Sequence, residues 1–277
     1  MPLARTADLV AAAYRAGTGV VAFNVITLEH AEAIVAGAER AGSPVILQIS
    51  ENAVKFHHGR LRPIAAATAA VAAQSTIAAS VHLDHVEDLA LLRAISETCS
   101  SSAMFDASKL DYAENVAATK AAADWMHDRG LFMEAELGEV GGKDGAHAPG
   151  VRTDPAKAVA FVAATGVDAL AVAVGSSHAM SARTAALDFE LIARLRSVVP
   201  VPLVLHGSSG VADEDLRKAV AAGITKVNVG TLLNVHFTRA VRSYLASDDA
   251  VTDPRRYLAP AREAVAEAVA AMIAAVN

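Results

Sequence analysis

Eight short apolar runs, each followed by a longer stretch of helical character, constrain this chain more than any other feature. The runs are GVVAFN (19–24), PVILQIS (44–50), AASVHLD (78–84), SAMFD (102–106), LFMEAEL (131–137), VDALAVAV (167–174), VPLVLHG (201–207) and ITKVNVG (224–230). Short, mostly apolar strands of this kind suit parallel strands buried on both faces. The intervening segments carry apolar residues at helical spacing together with stop and start signals. LEHAEAIVAGAERAG (28–42) has a glycine placed to end a helix, and DPAKAVAFVAATG (154–166) opens with Asp154 as N-cap and Pro155 in the first turn. Eight β/α units predict an α/β fold, a single (β/α)8 TIM barrel spanning 1–277 with no linker to split it. The 277 residues match the roughly 250 that such a barrel needs. Extra C-terminal helices are expected at 231–246 and 260–276, around a turn at DPRRY (253–257).

Composition narrows the function classes. A formal charge of -6, from 24 basic and 30 acidic residues, argues against a nucleic-acid or membrane surface as partner. Any phosphate must then be held by backbone amides, helix N-termini and single cations. Cys99 is the only cysteine, which excludes an intrachain disulfide and a thiolate-rich metal site. The opening MPLARTADLVAAAYRAG carries Asp8 and lacks the long apolar core of a signal peptide. No apolar run approaches the roughly 18 residues of a membrane span. The chain therefore reads as a reduced, cytoplasmic protein.

Polar residues collect where a barrel builds its active site. Asn24, Ser50, Asp84, Asp106, Glu136, His206 and Asn228 fall at or within a residue of the C-terminal ends of predicted strands, and His85 and His178 follow theirs closely. That rim carries catalysis in β/α barrels. His85, His178 and His206, after strands three, six and seven, offer three neutral imidazoles, the ligand set of a catalytic zinc with one open position. His30, His57, His58, His82, His127, His147 and His236 have no comparable claim. GEVGGKDGAHAPGVRTD (138–154) is a candidate mobile loop after strand five.

VHLDH (81–85), SAMFD (102–106), EAELGEVGG (134–142), VAVGSSH (172–178), VPLVLHGSSG (201–210) and TKVNVGT (225–231) resemble, in order and spacing, the serial motifs of class II ketose-bisphosphate aldolases. The resemblance covers essentially the whole chain. It implies Zn2+ on His85, His178 and His206, with Asp106 and Glu136 matching positions that hold a second cation, divalent or monovalent, in some members. Glu134 is the weaker candidate of its pair, expected on the opposite strand face from Glu136. Asp84 resembles the acid/base on the C4 oxygen; its competing role is to orient a ligand histidine. The loop base of the family aligns with Asp144, after Lys143, with Glu139 as fallback. Gly207, Ser208 and Ser209, and Asn228, Val229, Gly230 and Thr231, resemble the family's two phosphate-cradling turns. Ala179 stands where the family usually has glycine. Asn24 and Ser50 match substrate-contact positions, and Arg255, with Arg256 as competitor, resembles the arginine that reaches the distal phosphate of a neighbouring subunit.

The implied reaction is reversible, metal-dependent cleavage of a phosphorylated sugar, fructose 1,6-bisphosphate first, to dihydroxyacetone phosphate and glyceraldehyde 3-phosphate by a homodimer or homotetramer. Tagatose 1,6-bisphosphate, or another acceptor aldehyde with dihydroxyacetone phosphate retained, is the alternative. Strand six ends AVAVGSSH with no Schiff-base lysine, and Lys226 is expected to make a buried salt bridge or hydrogen bond instead. A metal-dependent hydrolase on the same barrel would want a His-x-His pair on strand one, which here ends AFN.

Overall fold

The computed structural model describes residues 3–137, 151–177, 180 and 182–277. Helix α1 (Thr6–Ala16) leads into β1 (Val20–Asn24), α2 (Leu28–Ala41), β2 (Val45–Ser50), α3 (Glu51–Phe56), α4 (Leu61–Ala73) and β3 (Ala79–Val86). Then follow α5 (Leu89–Arg93), β4 (Ser102–Phe105), α6 (Tyr112–His127), β5 (Phe132–Glu136), α7 (Pro155–Thr165) and β6 (Ala169–Ala171). The chain ends with α8 (Phe189–Val198), β7 (Leu203–Leu205), α9 (Asp213–Ala222), β8 (Ile224–Val229), α10 (Thr231–Ser247) and α11 (Pro254–Val276). Each strand pairs in parallel with the next, and β8 pairs with β1, so the sheet closes into the expected barrel.

Two layers fill the interior. At the bottom, Val20, Ala22, Ile46, Phe132, Ala169, Ala171 and Val204 pack against Leu9, Val10 and Ala13 of α1, which plugs the N-terminal end. Because strand side chains alternate, Asn24, Gln48, Glu134 and His206 stand two residues above Ala22, Ile46, Phe132 and Val204, and Asp84 and Asn228 from β3 and β8 complete a polar layer with them. The outer core lies between barrel and helices. Gly37 marks a close crossing there, since a Cβ would stand 2.5 Å from Ala266 O and 2.7 Å from Val269 Cβ, so α2 and α11 meet backbone to backbone. Arg40 and Glu263 clamp the same pair at 2.5 and 2.8 Å.

Two expectations need correction. Strands six and seven are shorter than 167–174 and 201–207. Beyond Val172 the backbone turns to loop partners: Ala173 O accepts from Thr153 N at 2.9 Å, and Val174 O from Asp188 N at 2.8 Å. Strand seven ends before Gly207, which turns left-handed at φ +67. The last helix starts at Pro254 rather than near 260. Asp253 caps it by accepting from Arg255 N, and Pro254 occupies the first turn, the same signal as Asp154-Pro155. Pro260 lies inside α11, which continues through it without that residue's N–H. No helix among the described residues is long and apolar enough to cross a membrane.

Candidate active site

A cavity of about 390 Å³ opens at the C-terminal end of the barrel, and Asn24, Gln48, Asp84, His85, His206 and Asn228 line it. Asp84 and His85 are adjacent, so regular alternation would send one of them out of the barrel. Instead the β3–β4 register shifts between Leu83 and Val86, and His85 takes a left-handed φ of 49°. This irregularity lets both side chains face the cavity, at a backbone cost of roughly 1–3 kcal/mol for a non-glycine residue.

Asp84 is 2% exposed. Gln48 Nε2 donates to its Oδ2 at 3.3 Å and Asn228 Nδ2 to its Oδ1 at 3.4 Å. Gln48 also donates to Asn24 Oδ1 at 2.6 Å, which fixes the amide between the two. Burial by itself would raise the proton affinity of Asp84. His85, His206, Lys226 and His82 around it outweigh that and hold the carboxyl below its usual range.

The two imidazoles are oriented by carboxylates. His85 Nδ1 lies 2.9 Å from Asp106 Oδ2, and His206 Nε2 lies 2.9 Å from Glu134 Oε1. An ionised carboxylate only accepts, so each of those nitrogens carries the proton. Asn228 Nδ2 is 3.1 Å from His206 Nε2, but the charged oxygen is nearer and is the stronger partner. The remaining nitrogens, His85 Nε2 and His206 Nδ1, then turn lone pairs toward each other across 2.9 Å. The two nitrogens thus converge on one point of the cavity wall, where both could serve as ligands to a divalent cation. Asp84, His85 and His206 each offer one ligand atom, all within 4.8 Å of one another. Imidazole and carboxylate without thiolate suit a catalytic divalent ion such as zinc. Burial lowers the proton affinity of His206, more than Glu134 raises it, which favours the neutral ligand form.

Glu134 corrects the sequence reading. Residues two apart share a strand face, so Glu134 and Glu136 both point into the barrel rather than to opposite sides. Glu134 is fully buried, and its Oε2 accepts from Lys226 Nζ at 2.7 Å. Burial opposes its ionisation, yet Lys226 and His206 hold it well below the ordinary carboxylate range. Lys226 makes the buried ion pair expected of it. Asp106 accepts from Ser108 N and Oγ at 3.2 and 2.6 Å on its other oxygen. His85, Asp106 and Glu136 form a second group with ligand atoms within 4.8 Å.

The two turns after β7 and β8 adjoin each other at the mouth. A Cβ on Gly207 would stand 2.4 Å from Ser177 O, so this turn admits only glycine. Ser209 Oγ accepts from Leu232 N at 3.0 Å and ties the first turn to the start of α10. Gly207, Ser209, Gly230 and Thr231 line the cavity, and the 17-residue α10 points its N-terminus at it, an oxyanion-friendly end. Ser208 Oγ instead donates to Leu205 O at 3.1 Å, and the Val229 side chain belongs to the core. Ser50 lines the cavity but its Oγ caps α3, accepting from Ala53 N at 3.2 Å. Arg255 is not brought to this cavity within the chain; its guanidinium grips Asp253 at the start of α11. His178, Ala179, Lys143, Asp144 and Glu139 lie outside the described residues.

Sequence reasoning missed Gln48, Asn52, Phe56 and Asn234 in the wall. Gln48 alone left a signal, a polar residue in an apolar strand two positions before Ser50 and therefore on the same face.

The family described as fructose-bisphosphate aldolase class-II matches residues 4–277. Among solved structures, the YdjI aldolase from Escherichia coli K12 is 31% identical with a TM-score of 0.85, covering 99% of this chain and 97% of that one. A candidate fructose-1,6-bisphosphate aldolase from Coccidioides immitis is 28% identical with a TM-score of 0.86, over 99% and 97% of the two chains. Fructose-bisphosphate aldolase from Campylobacter jejuni, 21% identical, shares the fold with a TM-score of 0.84 over 100% and 96%.

Proposed function

Because the chain belongs to the class II fructose-bisphosphate aldolase family, and is thus a carbon–carbon lyase, we propose that it is a zinc-dependent aldolase cleaving fructose 1,6-bisphosphate reversibly to dihydroxyacetone phosphate and glyceraldehyde 3-phosphate. The observation that carries this reading is the approach of His206 Nδ1 and His85 Nε2 to 2.9 Å beside buried Asp84, the other nitrogen of each ring being held by its own carboxylate. In the proposal His178 completes the ligand set with His85 and His206, and Asp106 and Glu136 take a second cation. A divalent ion held by these residues would supply Lewis-acid chemistry toward a ketose carbonyl.

The chain's own groups do the rest. Asp84, held below the usual carboxylate range and so ionised, takes the proton from the C4 hydroxyl during cleavage and returns it to the aldehyde oxygen during condensation. Gln48 and Asn228 donate to its two oxygens and hold the carboxylate in place. Asp144 moves the C1-side proton of dihydroxyacetone phosphate. The turns at Gly207–Ser209 and Asn228–Thr231 cradle its phosphate through backbone N–H groups and the N-terminus of α10. Arg255 reaches the distal phosphate bound by a neighbouring copy in a homodimer or homotetramer, and the site of action is the cytoplasm.

The test is a cleavage assay with fructose and tagatose 1,6-bisphosphates, with and without chelator, followed by zinc add-back. Zinc-restored cleavage with fructose 1,6-bisphosphate preferred is the expected result. Full activity in chelator would refute the metal assignment, and a preference for the tagatose ester would refute the substrate.

A further inference from the structure

Lys226 and Glu134 are both fully buried in the barrel, where an ion pair is an expensive way to fill space. Desolvating two charges costs several kcal/mol per ion, and an apolar pair of similar volume is often as stable. Stability alone therefore gives the pair no reason to be there, and its geometry supplies one. Glu134 divides its oxygens, Oε2 to Lys226 Nζ at 2.7 Å and Oε1 to His206 Nε2 at 2.9 Å. We propose that Lys226 and Glu134 are positioning residues that lock His206 in the Nε2–H tautomer and aim its Nδ1 lone pair at the metal.

The argument is donor and acceptor arithmetic. An ammonium has donors only, so whatever atom of residue 134 faces Lys226 must accept. With a carboxylate there, both oxygens accept, and His206 Nε2 is compelled to donate. His206 Nδ1 then stays free of hydrogen on the side facing His85 Nε2, 2.9 Å away. Carboxylates that orient ligand histidines in this way are worth 10–100-fold in metal affinity. The unusual element here is the third member, which decides the polarity of the second.

This inference rests on the proposed metal role of His206, and one substitution separates the two. In Glu134→Gln, Lys226 attracts the amide oxygen, so the amide NH2 is left to donate to His206 Nε2. The imidazole proton must then move to Nδ1, into the ligand position. Adding Lys226→Met frees the amide to rotate, present its oxygen to Nε2–H, and restore the original tautomer. Zinc affinity of the apo-protein, measured by competition with a chelating dye, should fall about 10–100-fold in Glu134→Gln and recover most of that in Glu134→Gln/Lys226→Met. Ring ¹⁵N shifts of His206 in histidine-labelled apo-protein should show Nε2–H in wild type, Nδ1–H in the single variant and Nε2–H again in the double. A pair that merely fills the barrel gives no rescue and no change of tautomer, and either result would overturn the inference. So would Nδ1–H in the wild-type protein, which needs no variant to fold. If wild type shows the predicted tautomers but binds no zinc, the lock stands and the metal reading falls.

Discussion

Asp84→Ala asks whether the buried carboxylate moves a proton or holds an ion. Its oxygens accept two long hydrogen bonds, from Gln48 at 3.3 Å and Asn228 at 3.4 Å. Contacts of that length contribute at most about 1 kcal/mol each, and Gln48 keeps Asn24 as an acceptor at 2.6 Å. The stability loss should therefore be about 1–2 kcal/mol, a shift of a few degrees in Tm. The chemical loss is larger. A positioned acid/base contributes roughly 10²–10⁴-fold, so kcat should fall by at least about 10²-fold, or about 2.7 kcal/mol of transition-state stabilisation. If the three histidines of the proposed set suffice for the ion, zinc content stays near wild type. Steady-state cleavage, elemental analysis of the purified variant and thermal unfolding report the three quantities separately. Zinc lost in parallel with activity would make Asp84 a ligand or ligand support, and activity within about threefold of wild type would remove it from the chemistry.

Chelation should abolish cleavage while substrate plus borohydride labels no lysine, because Lys226 Nζ is fully buried against Glu134; mass spectrometry showing a trapped lysine would overturn this. Buried His82, its Nδ1 2.8 Å from Ser102 Oγ, is pushed down from 6.5 to about 3, by burial first and Lys226 second. The unfolded chain then binds the extra proton, so its contribution to stability is present above pH 6.5 and lost as pH falls toward 3, up to about 5 kcal/mol. His82→Asn should flatten urea-unfolding stability across that window, and an unchanged slope would refute the assignment. Gly37→Ala gains about 1 kcal/mol of helix propensity but drives a methyl into Ala266 O. Net destabilisation of about 1–2 kcal/mol is expected by chemical unfolding, and a stabilised variant would show that α2 and α11 can separate freely. Asp144→Ala should slow exchange of dihydroxyacetone phosphate protons with deuterated buffer while Asp84→Ala spares it; normal exchange in Asp144→Ala with loss in Glu139→Ala would move the base to Glu139.

The closed barrel, its eight strands, and the rim on which Asn24, Asp84, His85, His206 and Asn228 meet were legible along the chain. These are local properties: a run of apolar residues, a helical period, a capping Asp-Pro, a polar residue where a strand stops. Even the start of the last helix was readable at Asp253-Pro254, by the logic already applied at Asp154-Pro155. The shared face of Glu134 and Glu136 was equally legible from their spacing. Which side chains face one another across the barrel emerges only in the folded molecule. Glu134 lies 72 residues from His206 and 92 from Lys226. Their meeting depends on strand stagger and closure, which no window of sequence contains. The same holds for the tautomers of His85 and His206, set by Asp106 and Glu134 on other strands, and for the irregularity after Leu83 that turns His85 inward. Periodicity is written along the chain, but hydrogen-bond partners in a closed barrel are chosen around its circumference.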